Sequence, residues 1–382
     1  MGYLHYEMEL EQRSKSKLGI CGDVFYWERN PRETLMLLSD GLGHGIKANI
    51  AANLCIARLK ELLHNGFSIR NAFAAVANTM DKAIEKGQPY AVFTIVRILP
   101  DGMTTVLSYE MPCPIFISRK ISTILNQRQI KINRSTIAES TCVLSPNDAI
   151  VIMSDGITQA GIGHSLKNGW ESEGLNKYIN EYIWAKKNVF DLPRAISSEA
   201  HRLCENDEDD DATVAIAVCR PGSTVSIFTG PPANKAMDRK TVNRFMSHEG
   251  IKIVAGATTA KIVASALGKQ LEIDTIQLDS DLTPPTSAIE GIDLVTEGAL
   301  TLNQLYNVLD ADRDDLIEEN PVTEIYDYIM YADRVIFYMG RAVNKAHDIS
   351  FMQLGMLSRE NIVPLLADKL RKKGKLVLME II

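Results

Sequence analysis

The chain has 382 residues, 46% of them hydrophobic and 23% charged, a globular balance in a chain too long for one ordinary core, so two domains are expected. The net charge of −7 comes without a basic patch or a basic stripe interleaved with aromatics, which argues against nucleic acid as a partner. Six scattered cysteines with no CxxC pair exclude a zinc framework and fit a reducing cytoplasm, and the longest apolar runs, "AIVIM" and "VLMEII", have the length of strands rather than membrane spans.

The opening stretch "MGYLHYEMELEQRSKSKLG" is polar, so secretion is not expected, and Tyr6 stands where a myristoylation signal wants Ser or Thr. "LGICGDVFYWE" and "ETLMLLSD" predict two strands joined by the turn "RNPR". Residues 46–63 place Ala52, Cys55, Ile56, Leu59, Leu62 and Leu63 at the spacing of one helical face, and a second helix is expected from 68 to about 86. "YAVFTIVRI", "MTTVLSYE" and "PIFISR" read as short strands with turn signals between them. "DAIVIMSDG" reads as a buried strand ending in an aspartate. Helices are expected near 171–183 and 191–204, before the acidic "NDEDDD" and the strand "ATVAIAVCR".

Beyond "PGSTVSIFTGPP" the pattern changes. Short apolar runs ("IKIVAG", "DRVIFYMG", "KLVLMEII") alternate with helical stretches, the signature of a mostly parallel sheet covered by helices. A boundary at about 220–232 gives domains 1–220 and 221–382.

Four acidic positions share one context. Asp23 lies in "CGDVF", Asp40 in "LLSDGLGHG", Asp155 in "IVIMSDG", and Asp210–Asp211 in "DDDATVAIAV". Each stands at a strand end, and two are followed by glycine, which lets backbone amides and carbonyls crowd a site. Taken singly, Asp-Gly is an ordinary turn and "NDEDDD" a solvated loop. Taken together on neighbouring strands they would gather hard oxygen ligands suited to Mg²⁺ or Mn²⁺, whose charge would offset the mutual repulsion of the carboxylates.

These motifs, in this order and spacing, resemble the catalytic domain of the stage II sporulation protein E phosphatases, a bacterial branch of the metal-dependent (PPM, 2C-like) Ser/Thr protein phosphatases. The resemblance covers about residues 15–220. It implies an α+β fold, an αββα sandwich of two packed antiparallel sheets flanked by helices, with two divalent cations, Mn²⁺ or Mg²⁺, between the sheets. Carried over residue by residue, it makes Asp40 the bridging ligand and Gly41 a carbonyl ligand, with Asp155 and Asp210 on the second metal. Asp23 would orient water or join the first metal's shell, Asp211 would support, and Thr213 would brace the loop. The implied reaction is in-line attack on a phosphoserine or phosphothreonine of a protein substrate by a water that two cations activate. Two features depart from the family. Arg13 is the one residue offered for the phosphate-holding arginine of the eukaryotic branch, and "SYEMPCPIFI" replaces the usual "AGHPP"-like turn. His44 is weighed as an acid for the leaving alkoxide against a plain role at the helix entry, and the helix over 46–63 as a regulatory lever.

In the later domain, "IKIVAGATTAKIVASALG" reads as strand, turn and helix, with Thr258 and Thr259 at the helix start. They would either cap the helix or help cradle a small anionic effector. No GxGxxG and no P-loop motif is present, and "DADRDD" lacks the glycine and glutamate of a calcium loop. Arg341, Asn344 and His347 are candidates for a cleft at the sheet edge. The expectation is a cytoplasmic protein phosphatase regulated through its C-terminal domain. A non-catalytic scaffold and a small-molecule phosphatase are the alternatives, and a homodimer stays open.

Overall fold

A computed structural model describes residues 2–15, 19–43, 45–132, 135–205, 210–273, 287–316, 319–342 and 356–382. The chain forms two compact units, one spanning Leu4–Arg220 and the other Pro221–Ile382 together with Met1–Tyr3.

The first unit is built on two sheets. A six-stranded sheet runs in the order Asp23–Arg29, Thr34–Gly41, Ala91–Ile98, Met103–Tyr109, Ser135–Val143, Arg128–Ile132, with every neighbouring pair antiparallel. A five-stranded sheet runs Leu4–Arg13, Ala212–Pro221, Ala149–Met153, Ile115–Ile117, Ser122–Ile124. Successive side chains of a strand face opposite ways, and the cores follow that alternation. Ile150 and Ile152 join one cluster with Leu35–Leu38 of the six-stranded sheet and with Cys55, Leu59, Phe73 and Val76 of the helices Ile46–His64 and Ile69–Glu85. Val151 and Met153 point the other way, into a cluster with Leu175 and Ile196 of the helices Glu171–Trp184 and Leu192–Leu203. The layers are therefore helix, sheet, sheet, helix. Strands such as "LMLL" and "AIVIM" are apolar throughout because both of their faces are covered. Each buried Leu, Ile or Val there contributes roughly 1.5–3 kcal/mol. The helix Ile69–Glu85 starts where Ser68 accepts a bond from the Asn71 amide at 3.3 Å, an ordinary N-cap.

The second unit is a seven-stranded sheet in the order Leu271–Ile273, Ser287–Ile289, Leu294–Thr296, Ile251–Ala255, Thr224–Thr229, Arg334–Met339, Leu376–Ile381. The last five are parallel, and the first two form an antiparallel edge. Numbered along the chain, the parallel strands lie third, second, first, fourth, fifth, so the winding reverses between Thr224–Thr229 and Arg334–Met339. Helices Asp238–Ser247 and Ala257–Leu267 cover one face through Phe245 and Val263. Helices Ala299–Val308, Pro321–Tyr331 and Arg359–Lys372 cover the other through Leu302, Ile325 and Leu366. It is a doubly wound α/β sheet.

Two expectations change. The stretch "PGSTVSIFTGPP", expected as the transition between domains, contains the central strand Thr224–Thr229, all six residues of which are buried. The polar opening of the chain contains the strand Leu4–Arg13, on the edge of its sheet, with only His5 and Tyr6 buried. All six cysteines are free thiols, and among the described residues no helix is long and apolar enough to cross a membrane.

Candidate functional site

Asp23 opens its strand directly opposite Asp40 on the neighbouring antiparallel strand, which sets both side chains on the same face of the sheet. Asp155 follows the end of Ala149–Met153, and Asp210 precedes the start of Ala212–Pro221. Met153 pairs with Val214, so both aspartates emerge at one end of the five-stranded sheet. That end is latched: the Ser154 amide donates to the Thr213 carbonyl at 2.9 Å, and the Thr213 amide to Ser154 Oγ at 2.9 Å.

The four carboxylates feel one another. Burial pushes the Asp40 carboxyl well above the usual range, the charges of Asp23 and Asp155 push it further, and a hydrogen-bond contact with Asp155 and the charge of Asp210 add to this. Burial likewise raises Asp23, reinforced by Asp211 and Asp155, and burial with the nearby Asp155 raises Asp210. Asp155 Oδ2 accepts from Gln159 Nε2 at 2.8 Å, and Asp210 Oδ1 from the Asp211 amide at 2.9 Å. Asp23 is 2% exposed, the hydroxyls of Thr213 and Ser154 favour its ionised form, and among the described residues no cationic side chain forms an ion pair with it. A buried carboxylate in that state is costly unless something positive meets it. All four groups are hard oxygen donors, so the set fits a divalent cation. It is not a finished cage: among the described residues, no three His, Cys, Asp or Glu side chains converge closely enough to hold an ion as they stand.

Asp211 does different work. One of its oxygens accepts from the Lys15 amide at 2.8 Å and the other from the Gly22 amide at 2.7 Å, so its carboxylate ties two backbone segments together beside the site. Thr213 Oγ1 accepts from Gln12 Nε2 at 2.9 Å, a bracing contact. Gln12 and Gln159 escape sequence reasoning, although Gln159 stands one helical turn after Asp155, the spacing at which side chains meet. Asn49, also unforeseen, ties the helix Ile46–His64 to the Cys21 carbonyl at 2.8 Å.

The two Asp-Gly glycines are needed for close packing rather than looseness. A Cβ on Gly41 would stand 1.9 Å from the Ala48 carbonyl oxygen, and one on Gly156 2.1 Å from that of Asp211. Gly43 and Gly45, at φ of 101° and 70°, are the positions where the loop requires glycine's freedom. His44 lies outside the described residues. Arg13 donates from Nε to Ser197 Oγ at 2.8 Å and lines a cavity of about 200 Å³ beside Gly156, Gln159, His201 and Asp210.

In the second unit, Gly256 and not a threonine occupies the N-cap of the helix Ala257–Leu267, with no side-chain cap bond. Thr259 is buried, and its hydroxyl accepts from the Gly230 amide at 2.9 Å, so it joins two loops. Thr258 is exposed on the wall of a larger cavity. Arg341 anchors the C-terminal strand through its amide to the Ile382 carbonyl at 3.0 Å, while Asn344 and His347 lie outside the described residues. In "DADRDD", Asp310 pairs with Lys369 and Arg313 with Asp327, so those charges serve the fold.

Comparison with known proteins places a family match, described as "Stage II sporulation protein E (SpoIIE)", on residues 30–220. The phosphoserine phosphatase RsbX of Bacillus subtilis (strain 168) is 23% identical over 198 residues, 48% of this chain and 91% of the relative. Among solved structures, the phosphatase domain of the cell fate determinant SpoIIE from Bacillus subtilis, in a crystal form without domain swapping, is 16% identical with a TM-score of 0.44, over 58% of this chain and 95% of that one. The structure of that phosphatase domain with a fragment of its regulatory domain is 16% identical with a TM-score of 0.48, over 58% of this chain and 64% of that one. The family match starts beyond Asp23, whose place in the site rests on its register with Asp40.

Proposed function

The chain belongs to the stage II sporulation protein E family and carries a PP2C-type serine/threonine phosphatase domain, and on that premise we propose that Asp23, Asp40, Asp155 and Asp210, with the Gly41 carbonyl, would hold divalent cations and that the domain hydrolyses phosphoserine or phosphothreonine in a protein substrate. The observation that carries the site is Asp23, a buried carboxylate that meets no cation among the described residues and faces Asp40 across paired strands. Two bound Mn²⁺ or Mg²⁺ ions would supply a Lewis acid that acidifies a shared water and offsets charge on the phosphoryl oxygens. The chain's own contribution is placement. Paired strands fix Asp23 against Asp40, the Ser154–Thr213 latch fixes Asp155 against Asp210, and Gln159 orients the Asp155 carboxylate. The α/β unit is proposed as the regulatory part of the protein.

The test is phosphate release from a phosphoserine peptide with and without Mn²⁺, for the full chain and for Asp40→Asn. Removing one charge from the centre of the cluster should abolish metal-dependent turnover by orders of magnitude while the circular dichroism stays native. Wild-type-like turnover in Asp40→Asn would overturn the metal assignment. Release from p-nitrophenyl phosphate but no phosphopeptide would favour a small-molecule phosphatase, and no release from either would favour a scaffold.

A further inference from the structure

We propose that the α/β unit binds a nucleoside phosphate in a cavity beside the reversal point of its sheet, between the helices Asp238–Ser247 and Ala257–Leu267. The cavity measures about 930 Å³, the size of a small-molecule site. Its walls include Pro231 after the first parallel strand, Thr258 after the second and Ala342 after the fourth. All three follow carboxyl ends of strands, and open α/β sheets bind ligands in the crevice outside those ends where the winding reverses. Directly between the two central strands the crevice is closed, because the Ala342 amide donates to the Pro231 carbonyl at 3.2 Å and the Gly340 amide to the Thr229 carbonyl at 2.9 Å. A Cβ on Gly340 would stand 2.0 Å from the Pro231 carbonyl oxygen. The open space is thereby displaced along the helix Ala257–Leu267.

The chemistry of the walls selects the ligand. Lys235, Arg239 and Lys261 all line the cavity, and among the described residues none of the three side chains makes a hydrogen bond or ion pair. Elsewhere in the unit several cations are paired (Arg244 with Glu380, Lys269 with Glu290, Arg313 with Asp327, Lys369 with Asp310), while others, such as Lys240 and Lys372, stand exposed without a partner among the described residues; what sets the three apart is that they line one cavity. Three unpaired cations around one cavity call for a ligand with more than one negative charge. The same space touches Asp238, whose Oδ1 is buried without a partner and would accept from a hydroxyl donor such as a ribose. Ile262, Ala266 and Leu267 supply an apolar wall on which a flat body can lie. Charged head, hydroxyls and apolar body together describe a nucleoside phosphate. No GxGxxG follows the first strand, so the pyrophosphate-cradling turn of dinucleotide sites is absent and the side chains must bind the phosphates.

The proposal rests on the α/β unit alone, and the test is independent of catalysis. ADP is titrated calorimetrically into the full chain in EDTA, with adenosine and inorganic phosphate in parallel. Saturable ADP binding is expected, at least about tenfold tighter than either fragment, and weakening with salt. The triple variant Lys235→Gln, Arg239→Gln, Lys261→Gln should weaken it at least about tenfold. These side chains are exposed, so the variant should fold, and Ser265→Trp, which fills the cavity and keeps the charges, gives an independent loss. Asp40→Asn should bind ADP as the parent does. No saturable binding, binding undiminished in both cavity variants, or binding lost in Asp40→Asn would overturn the site. Inorganic phosphate binding as tightly as ADP would overturn the ligand class.

Discussion

The two units leave opposite charges unsatisfied, and in opposite settings. In the first, carboxylates from two antiparallel sheets crowd one another, and the deepest of them, Asp23, has neutral hydroxyls for company and no cation among the described residues. In the second, three lysine and arginine side chains stand unpaired around a cavity at the carboxyl end of a parallel sheet. Antiparallel register can bring side chains of neighbouring strands face to face, which suits a small ion that must touch several oxygens. A parallel sheet instead presents loops and helix starts around open space, which suits a larger molecule. In each unit the unmet charge is opposite in sign to the ligand proposed for it.

That contrast breaks most readily at the second pair of aspartates. Asp155 and Asp210 leave the same latched sheet end, so they should serve one ion. Asp155→Asn and Asp210→Asn should each lower Mn²⁺-dependent turnover by about two orders of magnitude, and the double variant should lose little more than either alone. Multiplicative losses at saturating Mn²⁺ would assign them to separate ions. Gly41→Ala comes next. Its Cβ meets the Ala48 carbonyl, so the helix Ile46–His64 must shift or the strand end must bend, at a cost of about 2–4 kcal/mol. Urea unfolding reads the loss. A wild-type midpoint would mean that the strand and helix do not approach as closely as described.

Much of the first unit is legible in its sequence because its central strands are almost wholly buried. "ETLMLLSD" and "DAIVIMSDG" announce both their burial and their terminal aspartates, and Ser68 marks a helix start that the structure keeps. The strand Leu4–Arg13 is harder. On a sheet edge it needs few buried residues, so the alternation of Leu4, Tyr6, Met8 and Leu10 with polar residues is hidden in a charged stretch. Ser135–Val143 reads as polar because Glu139 is held by Arg70 and Ser140 donates to the Asn126 carbonyl. Thr224–Thr229 hides between the turn residues Gly222 and Pro231, although burial of all six side chains makes it central. The candidate aspartates could be picked out in the sequence, and the family resemblance set Asp211 apart as a supporting residue, but the form of that support could not be read there. The bonds from the Lys15 and Gly22 amides show what Asp211 does that Asp210 beside it does not: it ties two backbone segments.

Acidity provides a finer test of the carboxylate cluster. In the folded chain Asp23 and Asp40 are raised to about 7 and about 9, whereas the unfolded value lies near about 3.9. The folded state therefore holds more protons than the unfolded one between those limits. Its advantage is fully present below about pH 4 and is lost as pH rises through the folded values. In EDTA, Asp40→Asn should accordingly be stabilising relative to the parent, and more so at pH 8 than at pH 5. Mn²⁺ should raise the melting temperature of the parent more at pH 8 than at pH 5, because there it meets ionised carboxylates. An equal effect at both pH values would mean that the cluster is less repulsive than its burial implies.

The smallest effect separates the two threonines that open the helix Ala257–Leu267. Thr259 is 1% exposed, and its hydroxyl accepts the Gly230 amide at the end of the first parallel strand, so Thr259→Val leaves a buried N–H without a partner. That should destabilise the α/β unit by about 1–2 kcal/mol. Thr258 faces the cavity and is exposed, so Thr258→Val should change stability by less than about 0.5 kcal/mol. Its effect on ADP binding should be small beside that of the three cations, since a neutral hydroxyl offers a weaker bond than a charged donor. Denaturation followed by a probe in the α/β unit reads the first effect, and calorimetric titration the second. If Thr258→Val proved the more destabilising of the two, the Thr259–Gly230 bond would not be holding the loops, and the wall of the cavity would have to be drawn differently.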